Sequence, residues 1–491
     1  MWEDIVDLAE RHLLIDGKLV EAHGGRTFAN INPATEEELG PAPDGAKADM
    51  DAAIAAARRA FDETGWGTDV ALRVRCLRQL HQSLQKHAEE LRTLTVAEVG
   101  SPVALTYAAQ LDTPLSGVEW VADLAERYEW RTDLGQAEPF GMPSRRYVWR
   151  EPVGVVGAIT PWNYPNQINL AKVVPALAAG NTVVLKPAPD TPWTGLVLGR
   201  LMAEETDIPP GVVNVVTSSD HQLGQQLAED PRVDMVSFTG STATGRKVMT
   251  AAAATIKKVF LELGGKSAFV ALDDADLSST GVGVAFQVTS HAGQGCAITS
   301  RYLLPRSRYE EGLEALVGAI KTIPYGDPTD PGNLMGPLIS ERQRSRVLGY
   351  IEKGREEGAR VLLGGGVPSH LPRGFYVEPT ILADVDPTAT VAQEEIFGPV
   401  LVVLAYEDDD DAVSVANNSI YGLSGAVYSA SNQRARAVAA RLRTGTSGVN
   451  GGVWFGPDVP FGGYKQSGVG REMGVPGFEE YLETKAVAEG A

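Results

Sequence analysis

A chain of 491 residues is long enough for two or three domains, and 43% hydrophobic content can fill sizeable cores. A formal charge of −20, from 63 acidic against 43 basic residues, argues against nucleic acid or an anionic membrane surface as a partner. Two cysteines, Cys76 and Cys296, cannot make a disulfide framework and fit a reducing compartment. The start Met1-Trp2-Glu3-Asp4 lacks a basic region followed by an apolar run, and no stretch reaches about 18 uncharged apolar residues. Neither a signal peptide nor a membrane span is expected, and the expected location is cytoplasmic.

In chain order, residues 12–20 predict a hairpin turning at Asp16-Gly17. Residues 48–61 form an Ala-rich helical pattern, and 69–96 carry one or two more helices. Cys76 sits in the helical run Arg73-Val74-Arg75-Cys76-Leu77-Arg78 and reads as a packing residue. His81 and His87, on the same run, lack metal-ligand spacing with a carboxylate, so no metal is expected. From 119 to 153 the chain is rich in aromatics and charge, and Arg145-Arg146-Tyr147-Val148-Trp149-Arg150 alternates like an exposed strand, often a partner surface.

Residues 154–263 alternate strand and helix: strands at Val155–Ile159, 182–185, 212–216, 235–238 and 259–261, helices at 170–177, 193–204, 221–229 and 245–253. That spacing predicts right-handed crossovers and a parallel sheet, with ligands beyond the carboxyl ends of its strands. Gly240-Ser241-Thr242-Ala243-Thr244-Gly245 lies at such an end and opens a helix, where amides and the helix dipole favour a phosphate. G-x-G-x-x-G is absent, and Arg246-Lys247 stands where a P-loop needs Lys then Ser or Thr, which disfavours an NTPase. A Ser-capped helix with no ligand stays open for this loop. Beyond Gly264 a second alternation predicts strands at 269–272, 301–304, 361–363, 400–404 and 425–428, with helices at 307–322, 340–357, 412–419 and 432–442. No internal repeat or low-complexity tract stands out.

Three stretches carry chemistry. Ser290-His291-Ala292-Gly293-Gln294-Gly295-Cys296-Ala297 sets a thiol among glycines and small residues, which leave amides free to face a developing negative charge. Leu261-Glu262-Leu263-Gly264-Gly265 places a carboxylate among leucines, where desolvation raises its pKa toward that of a useful base. Thr160-Pro161-Trp162-Asn163-Tyr164-Pro165 fixes an Asn between prolines beyond a strand, able to aim an N–H at one point. Taken singly, each has a plainer reading: a packing cysteine, a solvated strand-end Glu, a turn Asn bonded to its own backbone. A nucleophile, a base and an amide donor together suit chemistry at a carbonyl carbon.

With Phe238-Thr239-Gly240-Ser241-Thr242, Glu395-Ile396-Phe397-Gly398-Pro399 and Pro460-Phe461-Gly462-Gly463-Tyr464-Lys465, these make six motifs that together resemble the aldehyde dehydrogenase superfamily from about Leu14 onward. The resemblance implies an α/β fold: a Rossmann-like cofactor domain (1–128 and 148–262), a second α/β catalytic domain (263–474), and a small oligomerisation hairpin (129–147 with 475–491). It implies that Cys296 forms a thiohemiacetal and then a thioester, that Asn163 and the Cys296 amide hold the oxyanion, and that Glu262 activates the hydrolytic water. Relatives that acylate coenzyme A generally lack this glutamate, so the product is expected to be a carboxylic acid. Lys172 and Glu472 resemble positions that carry the released proton, a surface ion pair being the alternative.

For the cofactor, the resemblance places Ile159, Thr160, Pro161, Trp162, Gly240, Gly245 and Leu263 around a dinucleotide, Lys186 on the adenosine ribose, Ser241 on the pyrophosphate, and Glu395 with Phe397 at the nicotinamide end. NAD-preferring relatives commonly carry a glutamate where this chain has Pro189, which leaves NADP open while NAD is favoured. The substrate pocket is expected at Ile168, Ala171, His291, Ala297, Phe455 and Phe461, with Ala171 replacing the large aromatic of many relatives and His291 alternatively facing water at the mouth. No arginine for a distal carboxylate is evident, which points to an apolar or aromatic aldehyde over a semialdehyde of the succinic type. The resembled hairpin joins subunits, so a dimer or tetramer is expected. Two rival classes are a thiol esterase without redox chemistry and a non-catalytic nucleotide-binding protein.

Overall fold

The computed structural model describes residues 8–490, so the Met1-Trp2-Glu3-Asp4 start lies outside the described residues. Five apolar segments form the parallel centre of the first sheet, in the order Lys258–Glu262, Met235–Thr239, Val155–Ile159, Thr182–Lys186, Val213–Val215. All but the first of these carry almost unbroken burial, as strands covered on both faces by helices require. The chain starts at Val155–Ile159, adds two strands on one side, and returns to add Met235–Thr239 on the other. The strand order therefore reverses between Val155–Ile159 and Met235–Thr239, and a crevice opens beyond Ile159 and Thr239.

The Asp16-Gly17 hairpin closes one edge of this sheet: Leu13–Ile15 pairs with Lys18–Val20, and Asp16 and Gly17 have φ of 54° and 73°, as a type I′ turn needs. The other edge is closed from far along the chain, where Gly468–Val469 pairs antiparallel with Lys258–Glu262. Phe478, Tyr481 and Leu482 likewise pack into the first core. Residues 468–482 thus return to the first sheet, across the boundary expected at 474.

A second sheet runs Arg360–Leu363, Thr380–Ala383, Val400–Tyr406, Thr299–Pro305, Ser267–Ala271, Gly425–Tyr428, Gly448–Val449. It is parallel except at its first pair, with separate apolar clusters on its two faces. A third sheet joins Arg131–Ala137, Ser144–Pro152 and Leu482–Gly490 antiparallel, combining the two segments expected to form one unit. It leaves Leu134, Phe140 and Met142 exposed.

Among the elements not anticipated are the helices Asp112–Arg127 and Leu277–Thr289 and the strands Thr380–Ala383 and Leu482–Gly490. The helix Leu277–Thr289 leads directly into the Cys296 loop, but glycines and β-branched residues weaken its local signal. Gly281 explains its composition: a Cβ there would lie 3.2 Å from the Ala315 backbone, so the bare residue lets Leu277–Thr289 press against Tyr309–Lys321. No helix among the described residues is long and apolar enough to cross a membrane, and no group of three or more metal-ligating side chains occurs among them.

Candidate active site

The Cys296 loop is strained and clamped. His291, Ala292 and Gly293 take successive left-handed φ values of 49°, 51° and 71°, which cost of order 1 kcal/mol or more at each non-glycine position. Gly293 is required, because a Cβ there would lie 2.1 Å from the Gly398 carbonyl oxygen. Gln294 holds the bend from inside: its Nε2 donates to the carbonyls of His291 and Pro337 (3.2 and 3.3 Å), and its Oε1 accepts from the Ile339 amide at 2.9 Å. Gln294 has no role legible in the sequence; its one signal is a long polar side chain flanked by glycines in an otherwise small-residue loop.

Asn163 enters from the end of Val155–Ile159, nearly buried, and its Nδ2 donates to the Gln294 carbonyl at 2.8 Å, two residues before Cys296. Its backbone carbonyl accepts from Gln110 Nε2 at 3.0 Å, which anchors the main chain behind the side chain. That disposes of a turn Asn bonded to its own backbone. Cys296 itself is half-buried. Burial pushes its thiol pKa up, and the charges of Glu262, Glu395 and Glu472 push it the same way. These three carboxylates, far apart in sequence, therefore all lie within electrostatic reach of one sulfur.

Glu262 ends its strand buried at 2% exposure, and neither carboxylate oxygen has a hydrogen-bond partner. Desolvation raises its pKa well above the usual carboxylate range; Glu472 adds to the rise, while Lys172 and Arg471 oppose it. The solvated strand-end reading is thereby excluded. The room for this carboxylate comes from Gly462, whose Cβ would lie 2.8 Å from Glu262 Oε1. Behind it, Lys172 Nζ meets Glu472 Oε1 at 3.0 Å, with side chains 0% and 6% exposed and the ammonium 4.7 Å above the Phe260 ring. The surface ion pair considered from sequence is in fact buried. Glu472 is fixed by reciprocal backbone hydrogen bonds with Phe461.

The crevice at the strand-order reversal collects most of the residues expected to hold a dinucleotide. Ile159 and Lys186 are paired neighbours at adjacent strand ends, and the Thr160 amide donates to the Lys186 carbonyl. Lys186 is 4% exposed and forms no ion pair among the described residues; burial lowers its pKa to about 8 against the opposing pull of Asp220, Asp190 and Asp44. Ser241 caps the helix Thr242–Ala252 by accepting from the Thr244 amide, and Leu263 packs against Gly245, where a Cβ would come within 2.6 Å. Gly240 sits over the Phe238 ring, and Pro189 is half-buried beside Asp190. Glu395 Oε1 accepts from the Gly265 amide at 3.0 Å, and burial lifts its pKa to about 7. Phe397 packs edge-on to Trp162, which follows Pro161, with ring centroids 5.4 Å apart. A buried cation and a helix N-terminus beyond the carboxyl ends of adjacent strands fit a dinucleotide.

A cavity of about 50 Å³ lies between the helices Asp112–Arg127 and Pro165–Ala179. Its walls include Val118, Trp120, Ala171, Val174, Phe455 and Phe478, and no charged side chain lines it. Of the residues expected in a substrate pocket, Ala171 and Phe455 line this cavity, whereas Ile168, His291, Ala297 and Phe461 do not. Ile168 and Phe461 are buried, the latter stacked on Trp454. Ala297 is half-buried beside the thiol. His291 has no exposure and lies edge-on to Tyr164, with burial driving its pKa down to about 3, so it does not face water at a mouth. The cavity adjoins the buried ion pair, since Ala171 precedes Lys172 and Met473 follows Glu472 along its wall.

A thiol on a strained loop, an unpaired buried carboxylate and a fixed carboxamide, set beside the crevice of a doubly wound sheet, define a thiol-dependent enzyme of carbonyl chemistry. The Aldehyde dehydrogenase family model matches residues 19–487, and the chain belongs to that family. It is 44% identical over 481 residues to a 3-succinoylsemialdehyde-pyridine dehydrogenase of a Pseudomonas species, covering 97% of this chain and 98% of the relative. It is similar to the crystal structure of a Mycobacterium tuberculosis aldehyde dehydrogenase complexed with NAD+, at TM-score 0.93 and 42% identity, covering 97% of both chains. It is also similar to a mutant aldehyde dehydrogenase C of Pseudomonas syringae complexed with NAD+ and octanal, at TM-score 0.92 and 39% identity, covering 98% of this chain and 96% of that one.

Proposed function

We propose that this chain oxidises an apolar or aromatic aldehyde to the carboxylic acid, using NAD+ and Cys296. The observation that carries the reading is the buried, unpartnered Glu262 carboxylate acting on the Cys296 sulfur. Glu262 first takes the thiol proton; burial raises the pKa of both groups, which makes the carboxylate a stronger base while it opposes ionisation of the thiol. The sulfur then adds to the carbonyl carbon. One N–H of Asn163 is committed to the Gln294 carbonyl and fixes the amide plane, leaving the second for the oxyanion together with the Cys296 amide. Such a donor is typically worth about 3 kcal/mol. NAD+, when bound, supplies the acceptor for the hydride whose loss leaves a thioester on Cys296. Glu262 passes the thiol proton outward through Lys172 and Glu472, then deprotonates a water that attacks this thioester; Cys296 leaves as the thiolate, and the second proton follows the same route.

The relatives complexed with NAD+ and the three carboxylates around Lys186 favour NAD over NADP: Asp44, Asp190 and Asp220 disfavour a 2′-phosphate although Pro189 offers no charge. The uncharged walls around Ala171 favour an apolar tail or ring; octanal, bound by a relative, and the pyridine in the name of another are of that kind. We assign the three-stranded sheet, with Phe140 and Met142 on its surface, to a homo-oligomer interface, and the protein to the cytoplasm. Glu262→Gln tests the reading: mixed rapidly with NAD+ and octanal, it should release no more than one equivalent of NADH, more slowly than the first turnover of the wild type because the thiol proton has lost its acceptor, and stall as a thioester. Steady turnover at the wild-type rate would remove Glu262 from its role.

A further inference from the structure

A second pocket lies on the second sheet, lined by none of the residues assigned to the active site, and its charge is one-sided. It is lined by Lys266, Arg301, Arg443 and Lys465 together with Asn417, Tyr421 and residues 422–425, and no carboxylate lines it. Four cations with no carboxylate at ion-pair distance among the described residues are out of place in a chain of net charge −20. Two are partly accounted for by the helix Asp409–Asn417: Arg301 donates to the carbonyls of Val415 and Ala416 and also of Lys266, and Lys465 Nζ donates to those of Asn417 and Ser419. Cations at a helix C-terminus answer its partial negative charge, but carbonyls do not neutralise a full one.

Lys266 has no such account. It is 1% exposed, and its Nζ has no hydrogen-bond partner. Buried ammonium groups are costly unless paired. At the rim, the Arg443 guanidinium is exposed and forms no ion pair among the described residues. The cations also feel one another: Arg301 depresses the pKa of Lys266, and Arg443 and Arg301 depress that of Lys465, in each case after the larger effect of burial. The cavity measures about 10 Å³, at the lower limit for one water-sized particle, so a bound ion would fill it completely.

We propose that this pocket binds a small inorganic anion of about chloride size, with Lys266 as its buried ligand and Arg443 at its entrance. The ion supplies the missing partner of Lys266 and offsets the mutual repulsion of the four cations. Charge on Lys266 is a condition of binding. Burial and Arg301 bring its pKa down to about 7, against the pull of Glu395 and Glu394, with Arg443, Lys465 and the Tyr421 hydroxyl completing the ionisable surroundings. Above that pH, each further unit weakens the anion about tenfold; below it, affinity levels off.

The probe is chloride against gluconate at fixed ionic strength and pH 6.5, read as the thermal midpoint of the full chain, with bromide in crystals as a direct marker. Expected are a saturable rise of about 1–2 °C with chloride alone, its fading by pH 9, and an anomalous bromide peak beside Lys266 Nζ. Lys266→Met abolishes both, and Arg443→Gln, exposed and harmless to folding, weakens the chloride response severalfold. Identical midpoints in chloride and gluconate, or an undiminished response in Arg443→Gln and Lys266→Met, would overturn the proposal. A larger response to phosphate than to chloride would overturn the assigned size.

Discussion

Replacing Lys172 by Met probes the buried ion pair most directly. The side chains of Lys172 and Glu472 are 0% and 6% exposed and 3.0 Å apart, so removing the ammonium strands a carboxylate beside Glu262. Breaking one side of such a pair costs about 3–5 kcal/mol. With an unfolding entropy of about 2.1 cal/mol/K per residue, 491 residues give roughly 1 kcal/mol/K, so the melting midpoint should fall by about 3–5 °C by calorimetry. The kinetic effect has a definite sign. Glu262 works as a base only when ionised, Lys172 lowers its pKa and Glu472 raises it, so Lys172→Met moves the rising limb of the kcat against pH curve to higher pH. Lys172→Met with Glu472→Leu removes both charges; it should recover most of the stability but not the turnover. If Lys172→Met melts with the wild type and keeps its pH limb, the pair has neither the energetic nor the electrostatic role argued above.

Other perturbations act on single contacts. Glu262 has a folded pKa above its unfolded value, so the wild type is stabilised by its proton below about pH 4.5 and loses that stability as pH rises through the folded pKa; Glu262→Gln should match the wild-type midpoint in acid and exceed it increasingly above. Gly264→Ala would place a Cβ 2.2 Å from Glu395 Oε2, forcing that carboxylate aside; the KM for NAD+ should rise at least tenfold while iodoacetamide still alkylates Cys296 at a similar rate. Ala171→Trp should fill the apolar cavity and cut kcat/KM for octanal at least tenfold while sparing propanal, an equal loss for both refuting the assignment.

Much of the scaffold was legible because it is local. Unbroken apolar runs separated by helical patterns at 155–262 can only bury themselves as a parallel sheet, and the observed strands match within a residue or two. The Asp16-Gly17 turn and the Ser241 cap are written in adjacent residues. Elements whose reason is a distant neighbour were not legible: Leu277–Thr289 looks glycine-weakened until Ala315 is seen against Gly281, and Gly468–Val469 is too short to be a strand until Lys258–Glu262 offers it an edge.

The sequence by itself determined which chemical groups are present, in motifs whose glycines and prolines set local turns. Only the tertiary structure decided what those groups are. Lys172 and Glu472 are 300 residues apart, and whether they meet in water or in hydrocarbon depends on the return of the last segment to the first sheet. His291 became an inward packing residue and Gln294 the clamp of the thiol loop by the same rule. Burial and charge proximity are sums over neighbours from the whole chain, and a string of residues fixes them only once it has folded.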